Sequence, residues 1–252
     1  MSLQLPPTNL LSRLILFLYR IRVFLYLSIL IPVWILNRKS GVPLIAYLVF
    51  KGYGSFFSKV CALTCGFLYL FGIFLRMVGT AYIGKDSVWG GKISSGYTSQ
   101  GPYRFLRHPI YQGSFLMLIS LVPMCSASGG TFLLVAGGGI TFFLAVFEEK
   151  SLSESYPTYE SDMKRVPRFT FRKSYIRFLV TEGVRKIIEK WSEAIRSESF
   201  NLAFVAGFFA FAATFRTLYF WVFFIMTLTG LLSVQGLRSR TTQPDDSSPK
   251  EG

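Results

Sequence analysis

IYQGSFLMLISLVPMC (residues 110–125), SASGG (126–130) and TFLLVAGGGITFFLAVF (131–147) are the stretch whose reading decides the fold. Neither outer run carries a charged side chain. A helix rises about 1.5 Å per residue, so about 20 residues cross a bilayer core. Each run, with its flanks, is therefore about one bilayer long. The link between them is short enough to force an antiparallel pair. Both outer ends then meet at one face of the membrane. One end carries Gly101-Pro102-Tyr103-Arg104-Phe105-Leu106-Arg107-His108-Pro109 and the other Glu148-Glu149.

Composition agrees with a membrane setting. Hydrophobic residues make up 51% of the 252, aromatics 17% and charged residues only 16%. Soluble domains carry about 25% charged residues, and the mean hydropathy is +0.43. This excludes a soluble enzyme, a disordered protein and a coiled coil. The net charge is +14. It fits cytosolic loops rich in Lys and Arg better than nucleic-acid binding, for which no soluble basic fold is present. The three cysteines, Cys61, Cys65 and Cys125, form neither a disulfide framework nor a zinc pattern. The single histidine, His108, excludes a histidine-cluster metal site, so no metal is expected.

Working outward, residues 60–83 form another span, with Arg76 toward its C-terminal end, where its head can reach an interface. Residues 4–22 suit an interfacial helix whose arginines snorkel, and no cleavage site for a signal peptide follows them. The first crossing combines part of 14–22 with 23–36, kinked at Pro32. The loop from Gly84 to about Gly101 is polar and Gly-rich. The segment 148–199 holds 11 Lys/Arg and 9 Asp/Glu. Two apolar stretches, 200–215 and 217–235, suggest a closing hairpin or re-entrant element, and a disordered tail starts at Ser239. Four regions follow: 1–59, an interfacial and first-span region; 60–175, a core that holds both charged motifs; 176–238, a basic helical segment and C-terminal hairpin; and 239–252, the disordered tail. The fold class is an all-α, polytopic membrane helical bundle with five or six transmembrane helices. Lys and Arg place loops 84–109 and 148–199 in the cytosol and link 126–130 outside. Loop 37–58, with Arg38, Lys39 and Lys51, lies outside against that rule.

The chemistry gathers where the two ends meet. His108 precedes a proline and is pushed toward extended geometry. Pro109 suits the first helical position, so a helix begins here and its free N–H groups attract an anion. Arg107 adds positive charge, Tyr111 an aromatic face, and Gly113 room for a backbone or ligand. Glu148 and Glu149 offer sites for a cation or a ribose diol. A zwitterionic methionine end, a ribose and a sulfonium that favours an aromatic wall make S-adenosylmethionine a chemical fit. ATP fits worse, because no Walker pattern is present. Each residue also has an ordinary reading. His108 can be a helix cap, Tyr103 and Tyr111 belt aromatics, Arg104 and Arg107 orientation signals, and the glutamates solvated charges. Gly137-Gly138-Gly139 reads as a helix-packing surface. Neighbouring helical positions differ by about 100°. One glutamate therefore serves a ligand while the other pairs with Arg165 or Arg168.

The run Arg107-His108-Pro109-x-Tyr111-x-Gly113, a hydrophobic pair, and then Glu148-Glu149 resembles the signature of integral membrane methyltransferases. These are the isoprenylcysteine carboxyl methyltransferases and the related phospholipid N-methyltransferases. Leu152, Tyr156, Tyr159 and Arg165-Val166-Pro167-Arg168-Phe169 continue the likeness, which covers about residues 76 to 170. The resemblance implies a cofactor pocket at the cytosolic membrane edge. Arg107, His108, Pro109, Tyr111, Gly113, Glu148 and Glu149 would bind S-adenosylmethionine, with Arg168 and His108 at the reaction centre. Members often end soon after the Tyr-Arg segment, whereas about 80 residues follow here.

The expected activity is methyl transfer from S-adenosylmethionine to a lipid or prenylated acceptor at the cytosolic face. The membrane would be the bacterial inner membrane or the endoplasmic reticulum. Arg165, Arg168 and Arg172 favour a carboxyl acceptor of the isoprenylcysteine type over the amine of phosphatidylethanolamine. Two rival classes are an NADPH-dependent lipid or sterol reductase and a non-catalytic scaffold. Against the first, position 110 is Ile where such reductases usually have Asn. Against the second, the charged residues of the motif are all present.

Overall fold

The computed structural model describes residues 22–40, 42–48, 51, 54–84, 98–214 and 222. Among them every regular element is helical. Five helices form the frame: α1 (Arg22–Ser40), α2 (Gly54–Ile83), α3 (Pro109–Leu121), α4 (Ala127–Ser155) and α5 (Trp191–Thr214). They pack side by side in the order α1, α4, α3, α2, α5. Three segments are long and apolar enough to cross a membrane, Ser28–Tyr47, Phe56–Ile83 and Ala127–Ser155, and Pro109–Met124 is apolar but shorter. Phe67, Val135 and Phe142 point outward and stay exposed, as expected where lipid is the solvent. The interfacial helix read at 4–22, most of the Gly-rich loop, the second half of the closing hairpin and the tail lie outside the described residues.

Close approach of backbones sets the central crossing. A Cβ on Gly72 would stand 2.7 Å from the Gly113 carbonyl oxygen, and one on Gly113 would overlap the Gly72 carbonyl. Small residues at both positions let α2 and α3 touch along their backbones, the common device of membrane helix pairs. On the other side of α2, Tyr69 packs its ring 5.4 Å from Phe204 and 5.4 Å from Phe208 of α5. Ile29 and Val33 of α1 pack against Leu133 of α4, and the Tyr26 hydroxyl meets Thr141 Oγ1 at 2.8 Å.

The antiparallel pair α3/α4 closes through Val122–Met124 and Ser126. Ser126 caps α4 by accepting from Gly129 N–H at 3.2 Å. Asn37 Oδ1 accepts from Ser126 N–H at 2.8 Å and from its hydroxyl at 2.9 Å. The end of α1 is thereby tied to the turn, opposite the Arg107 and Glu149 end of the bundle.

Two readings change. Arg76 does not reach an interface. Its Nε donates to Glu198 of α5 at 2.9 and 3.0 Å, and its Nη1 donates to Ser114 at 2.6 Å. The charged stretch 148–199, read as a loop ahead of the helical segment from 176, is helical through most of its length. It contains the end of α4, a helix at Tyr159–Met163, a continuous helix over 173–189 and the start of α5. Its charges sit on helix faces rather than along an open chain, so composition concealed its order.

Candidate active site

Gly101, at φ +59°, turns the chain under the Tyr82 ring into a short 3-10 helix, Gly101–Arg104. Two residues after Leu106, His108 takes the N-cap position of α3 and Pro109 the first helical position. The imidazole makes no capping bond. It reaches instead across to α4, where His108 Nε2 lies 3.0 Å from Glu149 Oε1. A carboxylate accepts, so Nε2 is the protonated nitrogen. The ring sits 5.5 Å from Tyr111 and 6.4 Å from Phe169, centroid to centroid.

Glu149 is the centre of the assembly. Arg107 Nη1 donates to its Oε2 at 3.0 Å. Arg168 donates through Nε to Oε1 at 2.9 Å and through Nη2 to Oε2 at 3.0 Å. This paired geometry suits guanidinium and carboxylate. Arg107 is itself fixed by the segment after α4, donating from Nε to Val166 O at 2.7 Å and from its backbone N–H to Pro167 O at 2.9 Å. Gln112 Nε2 donates to Thr170 O at 2.8 Å. Residues 107–112 and 166–170 are thus stitched together over one carboxylate. Glu149 is 9% exposed and His108 5%, whereas the Arg168 side chain is 43% exposed and lies over the Phe142 ring at 5.9 Å.

Beside this network opens a small cleft. Arg107, His108, Glu148, Tyr103 and Tyr159 give it polar walls, and Ile83, Leu152 and Met163 apolar ones. Burial and the nearby Glu149 carboxylate push the Tyr159 phenol well above its ordinary value. It stays protonated and can donate. Glu148 makes no ion pair among the described residues.

Arg107, His108, Glu149 and Arg168, chosen from sequence, are brought into one network, and Tyr111 flanks it. Glu148 faces the cleft, so adjacent carboxylates divide their work as the 100° step requires. Pro109 is buried at the helix start beneath Gly79. Gly113 is turned to α2, where a backbone rather than a ligand approaches it. Thr98 and Met163 of the cleft and the buried Gln112 escaped a reading by motif. Gln112 left one signal, an amide inside an apolar run. Its Oε1 is buried with no hydrogen-bond partner among the described residues.

The donor set fits S-adenosylmethionine. A guanidinium, the Glu148 carboxylate, two phenols and apolar walls surround one cleft. Three helices long and apolar enough to cross a bilayer, with this charged centre at one end of the bundle, support a membrane protein with a polar site. Residues 60–159 match the family model of phospholipid methyltransferases, in agreement with the resemblance carried by the motifs. The match supports a membrane methyltransferase acting on lipid-related substrates. No curated protein and no solved structure matches the chain significantly.

Proposed function

We propose that the protein transfers a methyl group from S-adenosylmethionine to a lipid-linked acceptor, with its cleft at the cytosolic membrane edge. The observation that carries this reading is the Glu149 network. It joins the start of α3, the end of α4 and the strap 166–170 beside a cleft holding Glu148. Arg107 and His108 would hold the carboxylate end of the cofactor, Glu148 its ribose diol or ammonium, and Tyr103 and Tyr159 its flanks. Bound there, the cofactor supplies an activated methyl on a sulfonium.

The chain's own residues do little covalent work. Transfer is an in-line displacement, so catalysis rests on alignment and on exclusion of water. A carboxylate acceptor is ionised at neutral pH and needs no base. The exposed part of Arg168, steadied by Glu149 and Phe142, is available to orient it. This supports a carboxyl acceptor of the isoprenylcysteine type.

An amine acceptor is the second reading. It is favoured by the phospholipid methyltransferase match and by the engagement of Arg168 with Glu149, which offsets its charge. An amine must lose a proton, and Glu148, lining the cleft, is positioned to receive it.

Purified enzyme with labelled S-adenosylmethionine is supplied separately with a farnesylated cysteine analogue and with phosphatidylethanolamine. Base-labile label on the first supports the carboxyl acceptor. Base-stable label on the second alone transfers the assignment to the amine, and label on neither rejects both. Orientation is tested by single cysteines at Ser128 and Ser161 with an impermeant thiol reagent. Cytosolic labelling of position 128 would reverse it.

A further inference from the structure

The helix over 173–189 lies beyond the region matched to the family and makes no bond to the Glu149 network. It is α-helical over Lys173–Phe178, passes through a π turn at Leu179–Gly183, and resumes as α-helix over Val184–Glu189. One face is spent on the bundle: Tyr175, Phe178, Leu179 and Ile187 pack with Leu75, Val78 and Leu106. A second face is apolar and exposed among the described residues. Ile176 is 44% exposed, Val180 68%, Val184 39% and Ile188 66%.

These four recur every fourth residue. On an unbroken α-helix that spacing drifts by about 40° a step, about 120° from Ile176 to Ile188. The π turn accommodates one extra residue and takes back about 100° of the drift. The four side chains therefore form one straight stripe. The π turn keeps both faces in line at once, since the buried Tyr175, Leu179, Gly183 and Ile187 have the same spacing.

Charge lies along one edge of the stripe. Lys173, Arg177 and Arg185 follow it, and residues 172–190 hold six basic side chains against two acidic. The helix wraps the last turns of α2, with Phe178 6.1 Å from the Tyr82 ring, at the end of the apolar segment Phe56–Ile83. An apolar stripe bordered by Lys and Arg at that end matches a surface with acyl chains below and phosphates above. We propose that helix 173–189 lies in the headgroup boundary of an anionic leaflet, its Ile176–Val180–Val184–Ile188 stripe among acyl chains and its basic edge on lipid phosphates. It would then be a lipid-charge-sensitive anchor joined through Arg172 and Thr170 to the strap over the cleft.

The test uses the full chain in vesicles, with single fluorophore-labelled cysteines in a background lacking Cys61, Cys65 and Cys125. Labels at 176, 180, 184 and 188 should be quenched by doxyl lipids, and labels at 177, 181 and 185 by aqueous iodide. The lipid quenching should be stronger in equal phosphatidylcholine and phosphatidylglycerol than in phosphatidylcholine alone. It should also fall as salt is raised. Iodide quenching at all seven positions would put the helix in water and overturn the proposal. Protection of the stripe from both quenchers would overturn it too, in favour of cover by another part of the chain or a second copy. Equal depth with and without the anionic lipid would remove the charge-sensing half. If the cysteine-free chain fails to fold, the natural chain is photocrosslinked with diazirine phosphatidylglycerol. Adducts within 173–189 support the assignment and their absence refutes it. None of these readouts requires methyl transfer, so the result is separable from the proposed activity.

Discussion

Two buried glutamates of this bundle are held by arginines, and they differ in what surrounds them. Glu198 on α5 is fully buried. It accepts from Arg76 on both oxygens and from Asn201 Nδ2 at 2.6 Å. Its partners lie on α2 and on its own helix, and Arg76 also holds Ser114 of α3. Glu149 accepts from three side chains delivered by two connecting segments, and a cleft opens beside it. The first arrangement fastens helices at membrane depth. The second fixes loop residues at a polar edge. Charge inside a membrane is costly unless paired, so both carboxylates need their arginines, but only Glu149 has partners, Arg107 and His108, that line a cleft.

The sharpest way to break the comparison is to strand Arg76. Glu198→Ala should cost about 3–5 kcal/mol, the cost of leaving a buried charge unpaired. It should loosen α5, read as a lower midpoint of thermal unfolding in detergent. Removing both charges in Arg76→Leu with Glu198→Leu should recover most of that loss. If the double variant stays as unstable as the single one, the pair does more than fasten helices.

Glu149→Ala should weaken S-adenosylmethionine binding about thirtyfold, or about 2 kcal/mol, because it frees Arg107, His108 and Arg168 together. Calorimetry checks this. No apolar double replacement should rescue it, in contrast with Glu198. Glu148→Gln should weaken the same binding about tenfold, near 1.4 kcal/mol. Its unfolding midpoint should stay at the natural value, because no ion pair is lost. Unchanged affinity in both would remove the cofactor from this cleft. The smallest effect belongs far from either glutamate. Tyr26→Phe deletes the bond to Thr141 between α1 and α4 and should cost about 0.6 kcal/mol, with cofactor affinity unchanged.

The division between the two regions also marks what the sequence made legible. The Glu149 network could be anticipated because its residues flank one antiparallel pair, whose short link dictates where the ends meet. His108, Arg107, Glu149 and Arg168 followed from that geometry and from family likeness. The Arg76–Glu198 pair could not be. Its members are 122 residues apart, and Glu198 sits in a stretch whose mixed charges mimic a solvated loop. Nothing local tells which arginine meets which carboxylate until α5 docks on α2. Gly113 was misleading for a similar reason. A glycine in a motif invites a ligand or a backbone alike, and only the position of Gly72 decides. The π turn at 179–183 was hidden because the apolar spacing of four across it matches no helical period until the extra residue is counted.

The bond between Asn37 and Ser126 has a mechanical consequence. It pins α1 to the start of α4 at the end remote from the cleft, so α4 behaves as a lever with a fixed pivot. Glu149 lies about 34 Å along that lever at 1.5 Å per residue. A tilt of about 2° about the pivot therefore displaces its carboxylate by about 1.2 Å, enough to break bonds now 2.9 to 3.0 Å long. A small angular strain at one end of a long rod is converted into making or breaking the charged contacts at the other.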